Sequence, residues 1–126
     1  MTEATVLVVD DDPVIQKLLQ VNFEVDGFAV VIASDGEEGL ATARKLRPDV
    51  ILLDVMMPRM DGLKVAAALK KDPKTKAIPI ILLSAKAQEV DLRAGRSTGA
   101  DEYITKPFDP LQLLERVRAL IAEHRT

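Results

Sequence analysis

Four apolar runs in this chain end in residues that can do chemistry. Val6-Leu7-Val8-Val9 runs into Asp10-Asp11-Asp12, and Val50-Ile51-Leu52-Leu53 into Asp54. Ile80-Ile81-Leu82-Leu83 runs into Ser84, and Tyr103-Ile104-Thr105 into Lys106. A carboxylate at the end of a core-like run is costly to bury unless something pairs with it. If the runs are neighbouring parallel strands, Asp10, Asp11, Asp54, Ser84 and Lys106 converge on one rim. Carboxylates gathered there repel one another and hold each other's pKa up unless positive charge intervenes. Mg²⁺ is the natural counter-ion, a hard cation held by carboxylates, other oxygens and a substrate phosphate. With it and Lys106 neutralising an incoming phosphoryl group, Asp54 reads as a nucleophile that forms an acyl phosphate. Ser84 then reads as a hydrogen-bond donor to a phosphoryl oxygen. Phosphoryl transfer is mostly positioning and charge stabilisation, so so few groups can suffice.

Each residue also has a plainer reading. Asp12 precedes Pro13 and suits an N-cap better than a metal ligand. Asp10-Asp11 could be a solvated acidic turn, Ser84 an ordinary strand end, and Lys106-Pro107 only a turn. Tyr103 alone reads as a half-buried packing residue, and Met56, Met57 and Met60 as core or loop filler. Their co-location, not any one residue, makes the case.

The elements that must position these groups alternate along the whole chain. Strands are predicted at about 5–10, 28–33, 49–54, 79–84 and 101–105, and helices near 13–26, 36–46, 62–71, 88–97 and 110–124. The first, third and fourth strands are near-continuous Val/Ile/Leu, as strands buried on both faces of a parallel sheet are. Five strand–helix repeats predict an α/β fold: a doubly wound, flavodoxin-like, five-stranded parallel sheet in the order 2-1-3-4-5, flanked by five helices. That order puts the ligand crevice between the first and third strands, beyond their carboxyl ends. Asp12-Pro13 and Asp109-Pro110 mark helix starts, and Ser34 with Glu37 reads as a capping box. The first helix should bury Ile15, Leu18, Leu19 and Phe23, and the last Leu114, Val117 and Ile121. The 88–97 segment offers few apolar anchors and should be the least stable helix.

At 126 residues the chain is predicted to be one domain, residues 1–126. A formal charge of −3 argues against a nucleic-acid surface, and no apolar run approaches membrane-spanning length. With no cysteine there is no disulfide framework, and with no leader-like segment at the N-terminus the expected location is the cytoplasm.

The chain resembles the receiver domain of bacterial two-component response regulators, from Val6 to about Ile121. The matching pieces are Val8-Val9-Asp10-Asp11, Asp54, Met57-Pro58-x-Met60-Asp61-Gly62, Ser84-Ala85 and Gly99-Ala100-Asp101-x-Tyr103-x-x-Lys106-Pro107-Phe108. The resemblance implies a phosphorylation-dependent switch rather than an enzyme, with only self-catalysed gain and loss of phosphate. By position, Asp54 is the implied phosphoacceptor. Asp11, Asp54 and the Met56 backbone carbonyl are the implied Mg²⁺ ligands, with Asp10 acting through water. Ser84 and Tyr103 form the implied switch pair, Lys106 is implied to contact the phosphoryl group, and the Lys106–Pro107 bond is implied to be cis. The implied partners are a sensor histidine kinase or phosphotransfer protein, and an output domain or effector. The latter is reached through the fourth helix, fifth strand and fifth helix, a face through which a homodimer could also form. Arg96 departs from the family, which more often buries an apolar residue there. Met56 and Lys86 occupy positions that vary among receivers and flank the path of a water attacking the phosphoryl group.

Three rival readings fit the residues less well. A Mg²⁺-dependent aspartyl-phosphate phosphatase needs a second carboxylate two residues after its nucleophile, where this chain has Met56. A flavin carrier of the same topology needs a hydroxyl-rich loop after the first strand, where this chain has Asp10-Asp11-Asp12-Pro13. A degenerate receiver that only binds partners is disfavoured by the intact acids, Ser84 and Lys106.

Overall fold

The computed structural model describes residues 4–57, 60–85, 93 and 96–125. Five strands, β1 (Thr5–Val9), β2 (Ala29–Ala33), β3 (Val50–Asp54), β4 (Ile80–Ser84) and β5 (Glu102–Thr105), form one parallel sheet in the order β2-β1-β3-β4-β5. The described helices are α1 (Pro13–Val25), α2 (Gly36–Leu46), α3 (Gly62–Lys71) and α4 (Pro110–Arg125). The doubly wound order is the one predicted. The helix count among the described residues is four rather than five. Most of the predicted 88–97 helix lies outside them, although its described positions 93, 96 and 97 are helical.

Strand periodicity sorts the core into two layers, because successive side chains alternate across a sheet. Leu7, Val9, Ile51, Leu53, Ile80 and Leu82 face α2 and α3, meeting Ala43, Val65, Ala66 and Leu69. Val6, Val8, Val50, Leu52, Ile81 and Leu83 face α1 and α4, meeting Leu19, Phe23, Leu113, Val117 and Ile121. Each fully buried Leu, Ile or Phe contributes about 1.5–3 kcal/mol of apolar burial, so the three central strands anchor the fold. Helix α1 turns Ile15, Leu19 and Phe23 inward as predicted, but Leu18 is 37% exposed and joins Val14, Val21 and Val25 on the outer side.

Side chains set the helix starts. Asp12 Oδ1 accepts from Val14 N at 2.9 Å, and Asp109 Oδ1 from Leu111 N at 2.9 Å. At α2 the cap lies one residue later than predicted. Asp35 Oδ1 accepts from Glu38 N at 2.8 Å, and Glu38 Oε1 accepts from Ser34 N at 3.0 Å. Ser34-Asp35 and Glu37-Glu38 each offer two suitable residues, so the sequence leaves the phase open by one.

Candidate functional site

Three strand ends and one loop deliver the predicted groups to a single rim. Asp10 extends β1 by one residue and donates its N–H to Ala33 O at 3.1 Å. Asp54 closes β3 and Ser84 closes β4, while Lys106 follows β5 and donates its N–H to Ser84 O at 2.7 Å. The Lys106–Pro107 bond is cis, as the resemblance implied. Asp10 and Ser84 are fully buried and Asp54 is 4% exposed, whereas Asp11 is open to solvent.

Lys106 Nζ lies 3.0 Å from Asp10 Oδ2 and 3.3 Å from Asp54 Oδ1, joining the two buried acids with one ammonium. Carboxylate oxygens of Asp10, Asp11 and Asp54 lie within 4.8 Å of one another. Burial and then the Asp10 charge push the Asp54 carboxyl above its ordinary value, outweighing Lys106 and the Met56 N–H, which pull it down. Burial works against the Lys106 ammonium, but its bonds and charge pairing with Asp10 and Asp54 prevail and raise it. Three acids facing one ammonium leave an excess of negative charge in a confined crevice. The donor set is all oxygen, so it suits a hard divalent cation and not a soft one.

The two residues of the implied switch pair share a side of the sheet. In the β4–β5 register Leu82 pairs with Tyr103 and Ser84 with Thr105, so alternation places the Ser84 and Tyr103 side chains on one face as diagonal neighbours. Tyr103 is half-buried against the α2/α3 layer. Met56 sits beyond Asp54 with its N–H on Asp54 Oδ1 at 3.3 Å and its side chain 53% exposed. Lys86 lies outside the described residues. Arg96 is exposed rather than packed.

Two contributors went unrecognised in the sequence. Gly62 opens α3 against the strand end that bears Asp54, donating its N–H to Val55 O at 2.9 Å. A Cβ built there would fall 2.1 Å from Asp54 O and 2.7 Å from Val55 Cα. Asp61-Gly62 stands in the sequence only as part of the family motif, with no role given to the glycine. Gln16, on α1, donates Nε2 to Asp10 O at 2.6 Å and to Ser34 Oγ at 3.2 Å. Nothing in its spacing distinguishes it from any polar residue on a helix.

Residues 6–118 match the family description "response regulator receiver domain". RpaA of Synechocystis, a DNA-binding dual master transcriptional regulator, is 46% identical over 116 residues, covering 92% of this chain and 48% of RpaA. The chain thus spans about half the length of the curated relatives it matches. Among solved structures, a putative response regulator from Chloroflexus aurantiacus superposes with a TM-score of 0.91 at 35% identity, covering 96% of this chain and 99% of that one. The receiver domain of the sensor histidine kinase PA1611 from Pseudomonas aeruginosa, solved with a magnesium ion in its active-site cleft, gives 0.88 at 27% identity, covering 96% and 99%. This chain belongs to the response regulator receiver domain family of two-component systems. It is a signalling domain, and no helix among its described residues is long and apolar enough to cross a membrane.

Proposed function

We propose that residues 1–126 act as a single receiver unit whose Asp54 accepts a phosphoryl group from a phosphohistidine donor. One observation carries this reading. Asp54 is a buried carboxylate at a strand end, in one crevice with Asp10, Asp11 and the ammonium of Lys106. An Asp54 oxygen attacks phosphorus, a new O–P bond forms as the N–P bond breaks, and the departing imidazole takes up a proton. Asp11, Asp54 and the Met56 carbonyl would hold Mg²⁺, with Asp10 assisting through water. When bound, the ion neutralises charge on the phosphoryl oxygens. Lys106 leaves its pairing with the acids and follows the new negative charge, close to two units at neutral pH. Ser84 donates to a phosphoryl oxygen, and Tyr103 turns into the space that Ser84 leaves.

The readout surface is that of the predicted 88–97 helix, β5 and α4, acting on an output domain or effector, with a second copy as a further partner. β5 and α4 are already fastened by Arg116 Nε, which donates to Glu102 Oε1 at 2.9 Å. RpaA's description as DNA-binding fits an output domain that contacts DNA while the receiver does not. A cytoplasmic location follows from a cytoplasmic kinase partner.

The test is to mix the protein with Mg²⁺ and acetyl phosphate, trap with borohydride and locate the modification by mass spectrometry. Reduced label at Asp54, absent with EDTA, is the expected result. Label elsewhere, or none even with a competent kinase, overturns the reading. Lys106→Ala should bind Mg²⁺ at least as tightly as wild type, because the competing ammonium is gone, while failing to pass phosphorylation to the output surface. Weaker Mg²⁺ binding by calorimetry would contradict that role. Met56→Asn should shorten the phosphorylated lifetime several-fold, because the apolar side chain at the mouth of the crevice hinders the attacking water. An unchanged decay rate would show that Met56 has no part in it.

A further inference from the structure

The Asp10 carboxylate accepts from Asp12 N and Lys106 Nζ, but its backbone carbonyl has a partner of a different kind. The β1 ladder continues to Asp10, whose N–H still pairs with Ala33 O. Its carbonyl then meets the Gln16 amide at 2.6 Å, while the same Nε2 reaches Ser34 Oγ at 3.2 Å. Asp10 is fully buried, so a carbonyl there must be satisfied from within the protein. The carboxylate above it is fixed in turn, with Oδ1 accepting from Asp12 N at 2.9 Å and Oδ2 from Lys106 Nζ at 3.0 Å. Ser34 is itself tied by its N–H to Glu38 on α2. A chain of bonds therefore runs from α2 through the β2–α2 loop and Gln16 to the peptide joining Asp10 to Asp11.

We infer that Gln16 is a positioning residue for the cation site, holding the Asp10–Asp11 peptide so that both carboxylates face Asp54. The inference rests on the phosphoacceptor reading above and adds the means by which the acid loop is oriented. Gln16 touches neither ion nor phosphate. It acts through the backbone, as the partners behind metal ligands do when they fix ligand orientation. Its effect should therefore fall on cation affinity and on the order of the acid loop, more than on the stability of the fold.

Gln16→Met keeps the length and apolar stem but removes the donor. Its Mg²⁺ dissociation constant, measured by calorimetry, should rise about tenfold, the lower end of the effect of such outer partners. Exchange of the Asp12 amide proton in the metal-free protein should accelerate, because Asp10 Oδ1 is then no longer held beneath it. The melting temperature in EDTA should fall only modestly, because one buried carbonyl loses one partner while the packed core is untouched. Gln16→Ala, which also removes the stem, should reproduce both changes and provides a second variant if the first folds poorly. Gln16→His, which keeps an N–H donor on a shorter side chain, should recover part of the affinity.

Wild-type Mg²⁺ affinity in both donor-free variants, with Asp12 exchange unchanged, overturns the role of Gln16 and leaves the phosphoacceptor reading standing. A wild-type protein that neither binds Mg²⁺ nor takes label at Asp54 overturns that reading instead. A large loss of melting temperature with unchanged Mg²⁺ affinity assigns Gln16 to stability alone and overturns the inference.

Discussion

Asp54→Asn is expected to abolish the Mg²⁺-dependent phosphoryl label completely and, in metal-free protein, to make the fold more stable. The two effects share one cause. Asparagine keeps the shape of the side chain but lacks the anionic oxygen needed to attack phosphorus. It also removes a negative charge that is 4% exposed and confronts Asp10 across the crevice. Burial and that repulsion raise the Asp54 carboxyl above 3.8, the value for an unperturbed aspartate. A carboxyl with a raised folded pKa binds more protons folded than unfolded, so stability falls as pH rises from about 3.8 through the raised value. The variant escapes that loss. Its advantage in EDTA should be greatest at neutral pH and shrink as pH falls toward 3.8. Each kcal/mol amounts to about 4 °C in melting temperature for a chain of this size. Lys106 has the same pH direction in a higher window, but there the charged form is the stabilising one: its folded pKa is raised, so its contribution is complete below 10.5 and is lost as pH climbs through the higher folded value. Because it keeps Asp10 as a partner, the variant retains most of that contribution.

Adding Mg²⁺ should invert the ranking. Ligand at about one hundred times its dissociation constant stabilises the folded state by about 2.7 kcal/mol. Wild type gains that increment, whereas the asparagine variant, with one acid fewer, gains less. Thermal melts of both proteins with EDTA and with Mg²⁺ test this crossing. Parallel responses of the two proteins to Mg²⁺ would remove Asp54 from the cation site.

Gly62→Ala is expected to cost about 3 kcal/mol, at the upper end of overpacking penalties, and to slow phosphorylation of the protein that remains folded. The added carbon would lie 2.1 Å from Asp54 O and 2.8 Å from Asp54 C, both backbone atoms that cannot step aside as a flexible side chain would. Either α3 retreats from the sheet or the end of β3 moves, and the second outcome displaces the proposed phosphoacceptor. Gly27→Ala supplies the comparison. Gly27 has φ +95° but open space around it, so its penalty is backbone strain alone, about 1–2 kcal/mol. Urea titrations should rank wild type above Gly27→Ala and Gly27→Ala above Gly62→Ala. Only the last should also lose labelling rate, and equal labelling in all three would separate Gly62 from the site.

Much of this protein is legible in its sequence, because the residues that can do chemistry lie at the ends of its strongest hydrophobic runs. The near-continuous Val, Ile and Leu of β1, β3 and β4 required burial on both faces, and burial on both faces required helices on either side. Asp10, Asp54, Ser84 and Lys106 then had to share a rim, since parallel strands end together. Side-chain phase and local register were less legible. Leu18 has the character of a core residue, yet it lies at the margin of the Ile15, Leu19 and Phe23 stripe and is partly exposed. The α2 cap slid by one residue because two adjacent positions could each serve.

The sequence by itself determined the strand order's ingredients, the acids, the hydroxyl and the ammonium, because residue type and period are local properties. Tertiary structure alone decided which partners those groups find. It placed Lys106 between Asp10 and Asp54, 96 positions from the first, and brought Gly62 against the backbone of Asp54. It also set the Gln16 amide under the Asp10 carbonyl. Such contacts depend on how closely elements approach and at what angle, and packing fixes both only once every layer is in place.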